Sequence, residues 1–301
     1  MRAPDSAPPS ALHSLLTPSE LSTADAHNAC TSYVLQRMPR LRRAIWWLPG
    51  PKREPLIALM AWHLLLQESS DQGRLPGELM GWRAVLSECY GQQPKRTLAR
   101  ALRPPLRDFD WPQDLFQGAL EAHAELDRIG SFETRTDLLK QARRQSRGTA
   151  WMLLSVVGKR SERCDILADA LACALQLIHW LEQLPNCLER GYLPLAIEDL
   201  SRHGLNILSL PKETGSPRAQ ALLASQISWA RELLAKGWPL ALEIGPYQGR
   251  LLSFVLRQQA ARLGAMEASQ WSLFAAPEPA GWTRILSCLC VSLATRAAPP
   301  F

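Results

Sequence analysis

The sequence predicts an all-α protein, and three observations support this fold class. Hydrophobic residues make up 47% of the 301-residue chain, which is enough to bury a sizeable core. Leu, Ala and Arg are the most frequent residues and Gln and Glu are also common, and all five favour helices. No stretch shows the clean alternation of Val, Ile and Thr that indicates a strand. We therefore predict one helical domain over residues 23–296, between a flexible tail at 1–22 and a short tail at 297–301.

The chain is mildly basic, with a formal net charge of +6 at pH 7. This charge favours anionic partners such as lipid surfaces and diphosphates. Nucleic acid is not an expected partner, because the basic residues are not interleaved with aromatic residues in the pattern of a known nucleic-acid-binding module.

Cysteine usage and apolar runs indicate the compartment. The seven cysteines have irregular spacings and include no Cys-x-x-Cys pair, which is typical of buried thiols in a reducing compartment. Residues 1–9 lack the apolar core of a signal peptide. We find no apolar run of the ~18 residues that a membrane-spanning helix needs. The predicted location is cytoplasmic, and a peripheral position at the inner face of the membrane stays open.

In the first half of the chain, polar caps and prolines predict where helices begin. Thr23 and Asp25 can cap a helix that should run through Arg37. Pro55 suits the first turn of the next helix, which an apolar run then continues. Either Asp110 or Pro112 marks the start of a later helix.

In the second half, apolar periodicity predicts four helices. A strongly apolar helix is expected over residues 164–181, and Pro185 should kink or interrupt the chain after it. An amphipathic helix is expected over 218–238. Two more helices are expected over 250–263 and 283–295. The last is apolar nearly all round, so we predict that it is buried, with a membrane-docking or partner face as the alternative.

Several motifs occur in the order that they have in the squalene/phytoene synthase family. The stretch from Gln176 to Pro194 resembles the second aspartate-rich helix of that family, and residues 56–71 resemble the first. Between them lie further matches in the same order: Trp82-Arg83, Tyr90-Gly91, Trp111-Pro112 and Asp137-Leu-Leu139. This colinear resemblance implies a single-domain helical bundle of the class I isoprenoid (terpenoid) synthase type.

The resemblance also implies two carboxylate clusters that hold Mg²⁺ against a prenyl diphosphate. Carboxylates one turn apart project from one helical face, and Mg²⁺ prefers such oxygen ligands together with substrate phosphate. The metal then neutralises the leaving diphosphate. In this chain the corresponding positions read Gln67, Glu68 and Asp71 in the first motif, and His179, Gln183 and Cys187 in the second.

We interpret both motifs as degraded, and therefore predict no catalytic residue, no metal and no cofactor. The alternative is a displaced Mg²⁺ site. Because Glu182 and Glu189 are seven residues apart, they should share one helical stripe. That alternative site consists of Glu68, Asp71, Glu182 and Glu189.

Two further groups of residues are candidates for ligand binding. Arginines near the expected pocket are candidates for binding a diphosphate or another anion: Arg40, Arg42, Arg43, Arg147 and Arg190. Apolar and aromatic side chains on the motif helices are candidates for lining or filling a lipid-shaped cavity: Met60, Trp62, Trp151, Leu177, Trp180 and Tyr192.

Three functions stay open. The favoured one is a pseudoenzyme that binds a protein partner or an isoprenoid-like lipid, for example as an assembly factor. The second is an active Mg²⁺-dependent prenyltransferase that uses farnesyl or geranylgeranyl diphosphate in squalene, carotenoid or hopanoid biosynthesis. The third is an inactive subunit that requires an active paralogue.

Overall fold

The protein is described here by a computed structural model, which covers residues 11–91, 93–213 and 215–268. The regular elements in these residues are α-helices and short 3-10 helices, and pairing of extended backbone is limited there to two isolated bridges. The predicted all-α fold class is therefore confirmed. Backbone contacts divide the chain into two compact units, Met1–Ala124 and Glu125–Phe301. The helix predicted over 283–295 lies outside the described residues.

The first unit is built around the long helix α4. Its helices are α1 (Ala11–Leu16), α2 (Thr23–Arg37), α3 (Leu41–Ala44), α4 (Gly50–Asp71), α5 (Leu75–Tyr90), α6 (Thr97–Asp108) and α7 (Gln113–Ala124). Helix α4 packs against α2, α6 and α7. Trp62 lies fully buried at the centre, and its ring meets those of Trp82 and Phe116 edge to face, at centroid distances of 4.9 and 5.1 Å. These contacts join α4, α5 and α7 in one aromatic core.

Hydrogen bonds made by Ser19 and Ser22 hold the start of the first unit. The Ser22 hydroxyl accepts a hydrogen bond from the Asp25 amide and caps α2, which ends at Arg37 as predicted. Upstream, the Ser19 amide donates to the Lys95 carbonyl at 2.9 Å. The later part of residues 1–22 is therefore hydrogen-bonded to the segment before α6.

The second unit is built around α10. Its helices are α8 (Leu126–Ile129), α9 (Arg135–Val157), α10 (Glu162–Glu182), α11 (Leu184–Glu189), α12 (Ile197–Arg202), α13 (Pro217–Gly237), α14 (Leu240–Glu243) and α15 (Pro246–Ala268). Helix α10 packs against both α9 and α13. A Cβ atom at Gly237 would lie 2.3 Å from the Leu171 side chain, so glycine allows α13 to approach α10 this closely.

Helix α10 corrects one expectation about membrane spans. By length and composition alone it is apolar enough to cross a membrane, with a mean hydropathy of 1.4 in its best window. The predicted absence of such a run is therefore wrong. More than half of that window, 56%, is buried inside the protein. Its packing between two helices accounts for its apolar composition, as in the core helix of a globular unit.

Prolines and cysteines agree more closely with the sequence predictions. Helix α10 ends at Glu182, and Pro185 lies in the first turn of the separate helix α11, as expected for a residue that lacks an amide donor. The described cysteines are all free and buried: Cys30, Cys89, Cys164, Cys173 and Cys187. Burial raises the pKa of Cys30 to about 12, so this thiol is protonated at neutral pH.

Candidate functional site

The first motif, Gln67 to Asp71, forms the last turn of α4, and internal donors hold its glutamate. The Tyr33 hydroxyl donates to Glu68 Oε2 at 2.7 Å, and Arg37 Nη2 donates to Oε1 at 2.5 Å. The Gln72 amide adds a third bond at 3.2 Å. Tyr33 is buried, and its pKa is raised by burial and by the bond to Glu68. Both oxygens of the Glu68 carboxylate therefore already have partners.

The other polar groups of the first motif include a buried serine and a half-buried aspartate. The Ser69 hydroxyl is fully buried and donates to Glu78 Oε2 at 2.6 Å. Glu78 also lies 3.5 Å from Arg74. Asp71, the last residue of α4, is half-buried. Contacts to neighbouring helices and to the adjoining turn thus fix much of this motif.

The second motif spans the end of α10 and the start of α11. His179 is half-buried in the last turn of α10. The Gln183 side-chain carbonyl accepts a hydrogen bond from the Asn186 amide at 2.7 Å. Cys187 is buried in the apolar core of the second unit, with 4% of its surface exposed. Gln183 and Cys187, the two positions that align with metal-binding aspartates, carry a neutral amide and a buried thiol.

Glu182 is the acidic residue directly before Gln183 in the second motif. It lies 3.4 Å from Arg262 Nε on α15, and 17% of its side chain is exposed. Burial raises the pKa of this carboxyl above its ordinary value, although Arg262 and His179 act in the opposite direction. Removal from water is therefore the dominant influence on the pKa of Glu182.

The structure corrects the expectation that Glu182 and Glu189 share a helical stripe. Helix α10 ends at Glu182, and Glu189 belongs to α11. Glu182 is half-buried, whereas Glu189 is exposed. Within residues 11–91, 93–213 and 215–268, no three His, Cys, Asp or Glu side chains come together in a way that could hold a metal ion.

The candidate anion-binding arginines are dispersed over several elements. Arg40 is half-buried and precedes α3, and Arg42 is exposed on α3. The side chain of Arg43 lies outside the described residues. Arg147 is exposed in the middle of α9, and Arg190 is half-buried just after α11.

Four of the six candidate cavity residues are packed into cores. Trp62, Leu177, Trp180 and Tyr192 each expose at most 3% of their surface. Phe132 stacks on Trp180 with ring centroids 6.2 Å apart, and its ring meets Tyr192 edge to face. These four fill space, because side chains with so little accessible surface do not border an open cavity.

The other two cavity candidates are half-buried. They are Met60 on α4 and Trp151 on α9. The guanidinium of Arg160 lies 4.0 Å above the Trp151 ring. These two side chains keep enough accessible surface to contact a ligand.

Sequence reasoning missed a buried carboxylate in the second unit. Asp199 on α12 has 1% of its surface exposed, and Arg135 Nε donates to both of its oxygens, at 3.0 and 2.7 Å. Gln226 on α13 donates to it at 2.9 Å. The Arg135 guanidinium also lies 4.6 Å above the Trp229 ring. These partners are far apart in sequence, so no local pattern reveals the network that joins α9, α12 and α13.

This all-helical fold with two motif helices is the architecture of isoprenoid synthases. The sequence pattern of squalene/phytoene synthases matches residues 41–285. The chain therefore belongs to the squalene/phytoene synthase family. No curated protein matches the sequence.

Solved structures show the same fold at low sequence identity. A dehydrosqualene synthase in complex with ligand is 20% identical, with a TM-score of 0.81. The match covers 90% of this chain and 96% of the dehydrosqualene synthase chain. Squalene synthase HpnC from Alicyclobacillus acidocaldarius is 17% identical with a TM-score of 0.70, covering 87% and 99%. YisP from Bacillus subtilis subsp. subtilis strain 168 is 18% identical with a TM-score of 0.67, covering 89% and 96%.

Proposed function

We propose that this protein is a non-catalytic member of the squalene/phytoene synthase family that acts by binding a protein partner or an isoprenoid-like lipid. The observation that carries this proposal is the occupied carboxylate of Glu68. Arg37 and Tyr33 donate to its two oxygens from within the same unit. A metal ion at this position has to compete with a cation that belongs to the protein.

The competition disfavours the metal. Mg²⁺ sheds its water reluctantly and requires near-octahedral oxygen ligands. Binding it through Glu68 separates Arg37 from its carboxylate and leaves the buried Tyr33 hydroxyl without its acceptor. An unsatisfied buried polar group costs about 1–3 kcal/mol. Glu68 therefore serves better as a structural acceptor than as a metal ligand.

The second motif supports the same proposal by a different route. A neutral amide at Gln183 and a buried thiol at Cys187 offer Mg²⁺ no carboxylate oxygen, and the hard cation prefers oxygen to sulfur. Without bound metal, nothing replaces the charge neutralisation that ionises an allylic diphosphate. We therefore expect no carbon–carbon coupling of two prenyl diphosphates.

Exposed apolar side chains support a binding role. Met80 on α5, Ile166 on α10 and Leu208 in the loop after α12 expose 84%, 64% and 83% of their surfaces. Within the second unit, the half-buried Trp151 is a side chain that an isoprenoid-like chain would contact. Within either unit, a protein partner would contact the more exposed of these side chains.

Product analysis tests the proposal. Purified protein is incubated with Mg²⁺ and either farnesyl or geranylgeranyl diphosphate, and an active dehydrosqualene synthase serves as the positive control. We expect no squalene-sized or phytoene-sized product from this protein. Such a product would overturn the proposal and direct attention to Glu68, Asp71, Glu182 and Glu189. Turnover only after addition of an active paralogue would instead identify a subunit of a heteromer.

A rescue variant sharpens the test. We expect the double substitution Gln67→Asp with Gln183→Asp to stay inactive, because Glu68 remains bound to Arg37 and Cys187 remains buried. Circular dichroism and thermal unfolding confirm that the variant is folded. Product from this double variant would show that the neutral residues alone had silenced an otherwise intact site.

A further inference from the structure

The segment from Arg40 to Arg53 in the first unit is strongly basic. It contains five basic residues and no acidic one, so its net charge is +5. The five are Arg40, Arg42, Arg43, Lys52 and Arg53. We refer to Arg40–Arg53 as the basic turn. A local excess of this size attracts anionic surfaces.

The basic turn is anchored on its unit by one apolar face. Helix α3 continues directly into the 3-10 helix Ile45–Trp47. The buried side chains recur every three or four residues, which places them on one side of the turn. They are Leu41, Ala44, Ile45 and Leu48. These four side chains pack the basic turn against the core. The opposite face of the turn is therefore available for other contacts.

The opposite face displays an indole beside cations. Trp46 exposes 67% of its surface. Arg42, one turn earlier, is exposed and forms no ion pair with any residue that the structure describes. The Arg53 guanidinium lies 4.0 Å above the Trp46 ring, and its Nη2 donates to the Leu48 carbonyl at 2.9 Å. This cation–π contact supports the indole on the outside of the protein.

We propose that the basic turn docks the protein on an anionic bilayer surface, with Trp46 at the level of the lipid headgroups. Tryptophan prefers the membrane–water interface, where its ring is apolar and its N–H stays hydrated. Lysines and arginines near an anionic leaflet add electrostatic attraction. The positive charge of the basic turn and the exposed indole of Trp46 both favour an anionic bilayer surface as the partner.

Two features of the basic turn favour lipid over nucleic acid. Binding of single-stranded nucleic acid uses open aromatic faces on which bases stack, whereas Arg53 covers one face of Trp46. Pro49, Gly50 and Pro51 beside it are exposed and uncharged, which suits contact with a headgroup layer. This docking surface does not depend on the proposed non-catalytic role, because vesicle binding and product formation are measured separately.

Vesicle flotation tests the docking surface on the full-length protein. We compare vesicles of phosphatidylcholine with vesicles in which part of it is replaced by phosphatidylglycerol. Binding to the anionic vesicles is expected, and it should weaken with added salt because counter-ions screen the attraction. Trp46→Ala should weaken this binding about tenfold. Arg42→Glu changes two charges and should weaken it about 30-fold, at about 1 kcal/mol per charge.

Matched variants elsewhere in the first unit control for general effects of charge and apolar surface. Arg83→Glu and Leu21→Ala change exposed residues of that unit and should leave vesicle binding unchanged. Equal binding to both kinds of vesicle, or equal loss in the control variants, overturns the proposal. Release of the protein from vesicles by inorganic diphosphate at matched ionic strength also overturns it, since that result would show that the basic turn binds a free anion. Loss of RNA binding instead of vesicle binding in Arg42→Glu also contradicts it.

Discussion

Glu68 at the end of α4 and Glu182 at the end of α10 are similar in position but differ in how their charge is held. Their side chains are 15% and 17% exposed, and each lies beside an arginine. Glu68 accepts hydrogen bonds from Tyr33, Arg37 and Gln72. Glu182 has a longer ion pair with Arg262, at 3.4 Å, and burial raises its pKa although Arg262 and His179 act in the opposite direction. Equal exposure therefore does not mean equal solvation of the charge.

This difference assigns the two carboxylates different roles. Hydrogen bonds that reach the charged form compensate Glu68 for lost water, whereas one long ion pair leaves burial dominant at Glu182. We infer that Glu68 is part of the framework of the first unit. Glu182 is a half-buried charge that the second unit tolerates at a cost in stability.

The largest effect should come from removing the Glu68 carboxylate. Glu68→Ala leaves the buried Tyr33 hydroxyl and Arg37 without their acceptor, so the free energy of unfolding should fall by about 2–3 kcal/mol. Urea unfolding monitored by circular dichroism measures it. Glu189→Ala changes an exposed residue and should stay within about 0.5 kcal/mol of the parent. Equal small losses at both positions would contradict the framework role.

A smaller effect is expected from Tyr33→Phe. This change removes one hydrogen bond to Glu68 and keeps the aromatic ring, so it should cost about 1 kcal/mol. In a double-mutant cycle with Glu68→Gln, the two substitutions should be non-additive because they share that bond. Additive losses would show that the bond contributes nothing to stability.

Glu182→Gln should stabilise the protein at neutral pH, whereas the substitutions at Glu68 and Tyr33 should destabilise it. Because the folded pKa of Glu182 is raised, the folded state binds more protons than the unfolded state between the two pKa values. The parent protein therefore loses stability as the pH rises from the ordinary carboxyl pKa through the raised one. The glutamine variant lacks this loss, so it should be more stable at neutral pH by less than about 1 kcal/mol.

Parallel unfolding curves across pH check this prediction. The difference between variant and parent should vanish below the ordinary carboxyl pKa, where both side chains are neutral. A variant that is less stable at neutral pH would mean that the ion pair with Arg262 outweighs the cost of burial.

The smallest change in stability is expected for Arg37→Met. The Arg37 side chain is 43% exposed, and pairs of this kind contribute about 0.2–1 kcal/mol. Its main consequence should be at Glu68, which then lacks its internal cation. We expect thermal unfolding of the variant to respond more strongly to Mg²⁺ than that of the parent. An identical response in both proteins would show that Arg37 does not exclude metal.

The sequence predicts the helices better than the contacts of the motifs. The end of α2 at Arg37 and the break at Pro185 follow from local signals in the sequence. The predicted cap at Thr23 is one residue late, because Ser22 caps the helix. The ion pair between Arg37 and Glu68 joins residues 31 positions apart, and no local pattern predicts it. The shared stripe of Glu182 and Glu189 fails for a related reason, since one helical period does not continue across the break at Pro185.

Calorimetric titration of Mg²⁺ into the protein with a farnesyl thiodiphosphate analogue tests the central claim most directly. That claim is that Arg37 neutralises the charge of Glu68, so that the first motif does not bind the Mg²⁺ that a prenyl diphosphate requires. We predict no saturable Mg²⁺-dependent heat with the parent protein, while dehydrosqualene synthase under the same conditions gives one. Saturable, Mg²⁺-dependent binding of the analogue that is lost in Glu68→Gln would contradict the claim and make Glu68 a metal ligand.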